Sequence, residues 1–121
     1  MARVLVIDDD EGMRTLMKAM LVGVGHEVEE AVDGEDGLRI FRERPANLVI
    51  TDINMPGMDG HEVIKAFRKL HEGVPILAVS GGGAVSKDDL LLSAAALGAA
   101  EVITKPFEFT QLVGAVQRAL E

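Results

Sequence analysis

Short apolar runs alternate along the chain with longer stretches in which apolar residues recur every three or four positions. Five of the short runs are rich in β-branched residues and are bounded by Gly, Pro, Asp or Asn, which is typical of strands. These runs predict strands at residues 4–7, 27–32, 48–51, 75–80 and 101–104. The first, third and fourth runs are almost wholly apolar, which favours parallel strands covered on both faces.

Each predicted strand is followed by a stretch with the periodicity of one helix face, so we predict five helices. Their apolar positions are Met13, Leu16, Met17, Met20, Leu21 and Val24, then Leu38 and Phe41, then Val63, Phe67 and Leu70, then residues 90–97, and finally Leu112, Val116 and Leu120. We interpret the methionines as core-filling side chains rather than ligands. Gly25, Gly73 and Gly98 lie where three of these helices are expected to end.

Five consecutive strand–helix units predict an α/β fold. Because crossovers between parallel strands are right-handed, the helices are expected to cover both faces of a doubly wound sheet. The common arrangement for five strands is the flavodoxin-like order 2-1-3-4-5. We therefore expect residues 1–121 to form a single domain, which is long enough for a substantial core.

The formal net charge of −8 narrows the range of partners. It argues against direct binding to nucleic acid or to an anionic membrane, and it favours a divalent cation or a basic partner surface. The chain has no Cys, Trp or Tyr, which excludes thiol chemistry and leaves little for a stacking site. No apolar run is long enough to cross a bilayer and the N-terminus lacks a secretory pattern, so we expect a cytoplasmic location.

Acidic residues follow two of the predicted strands. Asp8, Asp9 and Asp10 come directly after the first strand, and Asp52 follows the third. The predicted strand order makes these strands neighbours, so their carboxylates should meet at the edge where open α/β sheets bind ligands. Carboxylates held this close repel each other unless a cation lies between them, and hard oxygen ligands suit Mg²⁺.

Two further polar residues are expected at the same edge. Ser80 ends the fourth strand and offers a hydroxyl, and Lys105 follows the fifth strand and offers a cation. Acids, a metal ion, a hydroxyl and a lysine around one carboxylate are suited to phosphoryl transfer, in which positioning and charge neutralisation supply most of the catalysis. The central carboxylate, Asp52, could act as a nucleophile and form an aspartyl phosphate.

With these residues in place, the chain resembles the receiver domains of two-component response regulators, especially the stand-alone chemotaxis type. The resemblance covers essentially the whole chain, and each of its four motifs falls at the matching strand end. The motifs are Val6-Ile7-Asp8-Asp9, the segment 52–60 with the sequence DINMPGMDG, Val79-Ser80, and Thr104-Lys105-Pro106-Phe107.

The resemblance implies a role for each site residue. Asp52 would accept a phosphoryl group from a phospho-histidine donor, either a histidine kinase or a phosphotransfer protein. The implied metal ligands for Mg²⁺ are Asp9 directly, Asp8 through water, Asp52, and the backbone carbonyl of Asn54. Ser80 and Lys105 would each contact a phosphoryl oxygen, and the Lys105–Pro106 peptide is expected to be cis. The domain would assist its own phosphorylation and hydrolysis without being a turnover enzyme.

The chain departs from the family in its expected readout. Val102 stands three residues before Lys105, where the family usually carries Tyr or Phe, so an aromatic rotamer switch is not expected. The glycine-rich segment 81–87 is longer than usual, and we predict that it orders on phosphorylation. The apolar helix at residues 90–97, together with the fifth strand and fifth helix, is predicted to dock an unknown downstream protein or a second copy, the protein being a monomer or a weak phosphorylation-dependent dimer.

Two other classes of protein stay open from the residues alone. A small Mg²⁺-dependent phosphatase of the haloacid-dehalogenase type would use the D-x-D spacing of Asp8 and Asp10, with Asp8 as its nucleophile. The short chain and the lack of an acidic pair after Lys105 weigh against it. A flavodoxin-like electron carrier is disfavoured by the absence of Trp, Tyr and a phosphate-cradling first loop.

Overall fold

The computed structural model describes residues 2–53, 60–80 and 99–121 of the chain. Asn54, the glycine-rich segment 81–87, the predicted helix at 90–97 and Gly98 lie outside these residues.

Five strands form one parallel sheet in the order β2-β1-β3-β4-β5, which confirms the predicted doubly wound topology. The strands are β1 (Arg3–Ile7), β2 (Glu27–Ala31), β3 (Leu48–Asp52), β4 (Ile76–Ser80) and β5 (Glu101–Thr104). In the described ranges the helices are α1 (Glu11–Gly23), α2 (Gly34–Glu43), α3 (Gly60–Leu70) and α4 (Phe109–Leu120). The predicted strand limits agree with these to within one residue.

Alternation along the strands divides the core into two layers. Leu5 and Ile7 of β1 face a cluster built from α2 and α3, whereas Val4 and Val6 face a cluster built from α1 and α4. The predicted apolar positions that are buried in these layers are Met17, Leu21, Leu38, Phe41, Val63, Phe67, Leu112 and Val116. Strands covered on both faces account for the nearly continuous apolar runs of β1, β3 and β4.

Helix α1 begins at an acidic cap. The side chain of Asp10 accepts hydrogen bonds from the backbone N–H groups of Gly12 and Met13, at 2.9 and 3.4 Å. This satisfies two of the N–H groups that a helix leaves unpaired at its start. With Asp10 engaged in this way, Asp8 and Asp9 remain for the edge of the sheet.

The predicted buried face of α1 was partly wrong. Leu16 is 44% exposed and Val24 is 41% exposed. Adjacent residues in a helix are about 100° apart, so Leu16 points well away from the direction of the buried Met17. Val24 falls after the last helical residue, Gly23, and therefore leaves the helix face altogether.

Gly25 has a φ of 96°, a left-handed conformation that glycine adopts without steric cost, and it turns the chain from α1 toward β2. Among the described helices, none is both long enough and apolar enough to cross a bilayer.

Candidate functional site

The sheet register places the acids at one edge. Ile7 at the end of β1 pairs with Thr51 of β3, so Asp8 and Asp52 are the next residues on neighbouring parallel strands. Asp8 is fully buried and Asp52 is 5% exposed, whereas Asp9 is exposed. The edge therefore has two buried carboxylates with a third one at its opening.

The three carboxylates are close enough to share one cation. One carboxylate oxygen from each of Asp8, Asp9 and Asp52 lies within 4.8 Å of the others. Three hard anionic oxygens at a partly open site fit Mg²⁺, which binds through a few carboxylates and keeps several waters. The cluster predicted from the sequence is thus present, with Asn54 outside the described residues.

Lys105 links the two buried carboxylates. Its Nζ lies 3.0 Å from Asp8 Oδ2 and 3.0 Å from Asp52 Oδ2, and its side chain is 17% exposed. Burial by itself lowers the pKa of Lys105, but the hydrogen bonds to Asp8 and Asp52 outweigh it, so the pKa is raised above its usual value. The lysine is therefore held in its charged form against the acids.

The backbone sets the position of Lys105. Its N–H donates to the carbonyl of Ser80 at 2.6 Å, which extends the pairing of β4 with β5 by one residue. The following peptide, Lys105–Pro106, is cis, as predicted. Lys105 thus leaves the sheet directly beside the end of β4.

Ser80 lies at the same edge as the acids. It is fully buried at the end of β4, one residue after Val79, which pairs with Asp52. The strand order therefore brings Asp8, Asp52, Ser80 and Lys105 to neighbouring strand ends, although β1 and β5 are far apart in the chain.

Val102, unlike the predicted site residues, does not point toward the carboxylates. It lies half-buried in β5, opposite Ala78, and packs against the core layer of α2 and α3. A valine there fills core space, and its branched Cβ restricts χ1.

Arg14 also contacts the acidic edge of the sheet, and we did not predict this contact from the sequence. From the first turns of α1 its Nη1 donates to the backbone carbonyl of Asp8 at 2.7 Å. The sequence feature that could have indicated this contact is the position of Arg14, four residues after the capping Asp10. That spacing alone does not show which way the long side chain folds, so only the structure identified it.

Comparisons with known proteins agree with this geometry. The family model described as response regulator receiver domain matches residues 4–117. The chain is 36% identical over 117 residues to response regulator protein FleR of Pseudomonas aeruginosa, covering 97% of this chain and 24% of that protein. It is 37% identical over 118 residues to transcriptional regulatory protein PrrA of Mycobacterium tuberculosis, covering 98% of this chain and 49% of that protein. The chain thus spans about a quarter to a half of the length of these curated relatives.

Solved structures show the same similarity in three dimensions. The chemotaxis protein CheY4 of Vibrio cholerae superposes with a TM-score of 0.91 at 34% identity, over 99% of both chains. The receiver domain of NtrX from Brucella abortus gives a TM-score of 0.90 at 33% identity, over 97% of both chains.

The chain belongs to the response regulator receiver domain family of two-component signalling. Members of this family are signalling domains whose general function is to accept a phosphoryl group on an aspartate, and they receive signals from histidine kinases. The dehalogenase-type phosphatase is not favoured by these matches.

Proposed function

We propose that Asp52 is the phosphoacceptor and that it takes its phosphoryl group from a phospho-histidine on a histidine kinase or a phosphotransfer protein. The observation that carries the proposal is the Lys105 bridge, with 3.0 Å from Nζ to each of the two buried carboxylates. A half-buried cation beside a strand-end carboxylate is suited to receive the negative charge of a transferring phosphoryl group. The coincidence of this cation with the Asp8, Asp9 and Asp52 cluster supports a phosphoryl-transfer site over an ordinary surface ion pair.

The transfer balances as a single displacement. A carboxylate oxygen of Asp52 forms a bond to phosphorus as the P–N bond of the donor histidine breaks. The imidazole nitrogen leaves with the electron pair of that bond and takes up a proton. Lys105 stays protonated and shifts from the carboxylate of Asp52 to a phosphoryl oxygen. The hydroxyl of Ser80 donates a hydrogen bond to another phosphoryl oxygen.

The acidic cluster supports a specific cofactor assignment. When bound, Mg²⁺ would supply positive charge that offsets the negative charge of a phosphoryl group beside the acceptor carboxylate. In the proposal Asp9, the exposed member of the cluster, would be a direct ligand, and Asp8, which is buried and paired with Lys105, would act through water. Asp52 and the backbone carbonyl of Asn54 complete the protein ligands.

The output of the domain is a change in a surface rather than a released product. In the proposal, phosphorylation shifts the population of conformations of the predicted docking surface, to which we assign β5, α4 and the segments 81–87 and 90–97, the two segments lying outside the described residues. In the proposal, this surface binds a downstream protein or, with low affinity, a second copy of the chain. We propose that the phosphoryl transfer takes place in the cytoplasm and that residues 1–121 form one receiver domain.

A labelling experiment with three matched substitutions tests the assignment. Purified protein is incubated with acetyl phosphate and Mg²⁺, and its intact mass is measured. We expect the wild type and Asp36→Asn, which changes an acid of α2, to gain one phosphoryl group. Asp52→Asn should gain none, whereas Asp8→Asn should be labelled more slowly because the acceptor is still present.

The same variants discriminate the rival chemistry. Loss of labelling in Asp8→Asn together with normal labelling in Asp52→Asn would assign the nucleophile to Asp8 and refute the proposal. A phospho-histidine donor protein then replaces acetyl phosphate, and transfer of its label to the wild type is expected only when Mg²⁺ is present.

A further inference from the structure

We propose that Arg14 is a positioning residue for the metal site, and this inference rests on the proposed function of the site. Arg14 reaches from α1 back to the loop between β1 and α1, where its Nη1 donates to the carbonyl of Asp8 at 2.7 Å. The guanidinium touches the backbone of a metal-site residue and not the reacting atoms. Its effect must therefore pass through the placement of the acids.

The loop is fastened at both ends by the same residue. The backbone N–H of Arg14 donates to the carbonyl of Asp10 at 3.0 Å, and its side chain holds the carbonyl of Asp8. Between them, the N–H of Asp10 donates to Oδ1 of Asp8 at 2.9 Å. The backbone bond needs only the N–H of residue 14, which every residue except proline has, so Arg14→Met or Arg14→Lys changes only the contact at the Asp8 end.

The side chain of Arg14 is itself held in place. It is 12% exposed, and its Nε lies 3.5 Å from Oε1 of Glu30 in β2. A planar guanidinium offers several N–H donors in a rigid fork, so one group can bind the carbonyl of Asp8 and the carboxylate of Glu30 together. The contact therefore ties the acidic loop to the edge strand of the sheet.

The charge of Arg14 has a second consequence. Asp8, Asp9 and Asp10 are consecutive acids, and a cation beside the Asp8 carbonyl offsets part of their mutual repulsion before any metal binds. Residues that orient metal ligands from outside the coordination sphere commonly change metal affinity when they are substituted. We therefore expect Arg14 to raise the affinity for Mg²⁺ by holding Asp8 and Asp9 in a binding geometry.

Lys18 provides a matched control on the same helix. Its Nζ lies 3.6 Å from Oε2 of Glu30, and its side chain is 48% exposed. Lys18→Met removes one positive charge from the same carboxylate and leaves the bond between Arg14 and Asp8 intact. A comparison of Arg14→Met with Lys18→Met thus separates positioning of the loop from loss of charge alone.

The test measures Mg²⁺ binding by calorimetry and, in metal-free protein, the exchange of the Asp10 amide by NMR. Arg14→Met should weaken Mg²⁺ binding by on the order of 10-fold and should speed exchange of the Asp10 amide. The labelling rate of Asp52 should recover when Mg²⁺ is saturating. Lys18→Met should match the wild type in all three measurements, and Arg14→Lys, which keeps the charge without the fork, should fall between.

Any one of three results would overturn the inference. Unchanged Mg²⁺ affinity and Asp10 exchange in Arg14→Met would show that the contact is only structural, and equal effects in Lys18→Met would assign them to charge. If Arg14→Met does not fold, Arg14→Lys decides by the same two measurements. A wild-type protein that binds no Mg²⁺ would overturn the proposed function as well, whereas wild-type binding that Arg14→Met leaves unchanged overturns this inference alone.

Discussion

At the scale of single residues, the site depends on one lysine that compensates two buried carboxylates. Asp8 and Asp52 are almost inaccessible, and burial of charged groups is costly unless they are paired. Lys105 supplies the pairing from a strand end that lies 97 residues from Asp8 and 53 from Asp52 in the sequence. Its charge is therefore part of the stability of the fold as well as of the proposed chemistry.

This role predicts a pH-dependent stability. The pKa of Lys105 is raised in the folded protein above its ordinary value of 10.5, because its hydrogen bonds to Asp8 and Asp52 outweigh burial. Its contribution is then fully present below about pH 10.5 and is lost as the pH rises through the folded-state pKa. Chemical denaturation followed by circular dichroism should show a stability gap between wild type and Lys105→Met that narrows above that pH.

The amino-acid composition limits which other side chains titrate in this pH range. The chain has no Cys and no Tyr, so no thiol and no phenol titrates alongside the lysines in this range. Lys69→Met, at an exposed position in α3, removes a lysine charge as a control and should give a nearly constant gap. A constant gap for Lys105→Met as well would contradict the assigned ion pairs.

At the scale of elements, the approach of α2 to the sheet decides how closely the layers pack. A Cβ placed on Gly37 of α2 would lie 2.5 Å from Cδ1 and 2.8 Å from Cγ1 of Ile7. Ile7 is fully buried in β1 and immediately precedes Asp8. A shift of this strand end would therefore move the acidic edge of the sheet.

Gly37→Ala should consequently be destabilising. Overpacking of a core costs about 1–3 kcal/mol, and alanine recovers up to about 1 kcal/mol of helix propensity, so the net effect is a loss. Urea denaturation measures it. Gly23→Ala, at a helical position where a new Cβ meets nothing within 4 Å, is the matched control and should be neutral or stabilising.

A second substitution checks the cause of this loss. Ile7→Val removes the Cδ1 atom that the new methyl group would meet, so it should cost less in the Gly37→Ala background than in the wild type. Additive effects of the two changes would show that the strain does not arise at Cδ1 of Ile7.

At the scale of the whole molecule, charge and metal binding are coupled to folding. A net charge of −8 includes three carboxylates held within 4.8 Å of each other at one edge of the sheet. The unfolded chain does not hold these acids together, so a cation that binds them favours the folded state. The domain should therefore be measurably more stable with Mg²⁺ than without it.

Thermal unfolding tests this expectation. A Mg²⁺ concentration of about 100 times the Kd should add about 2.7 kcal/mol to the free energy of unfolding, seen as a higher Tm than in NaCl of equal ionic strength. Asp9→Asn should lose most of this gain because it removes the exposed carboxylate of the cluster. An equal gain in Asp9→Asn would indicate general screening of charge instead of a site.

The sequence by itself determined the strands, their order and the meeting of Asp8 and Asp52. Nearly continuous apolar runs mark strands that are buried on both faces, period-3.6 patterns mark the buried faces of the helices, and parallel strands necessarily bring their carboxyl ends to one edge. The tertiary structure decided the bridge from Lys105 to both carboxylates, the hold of Arg14 on the Asp8 carbonyl, and the contact of Gly37 with Ile7. These depend on the direction of individual side chains and on the spacing of layers, which packing between distant segments sets and no local pattern encodes.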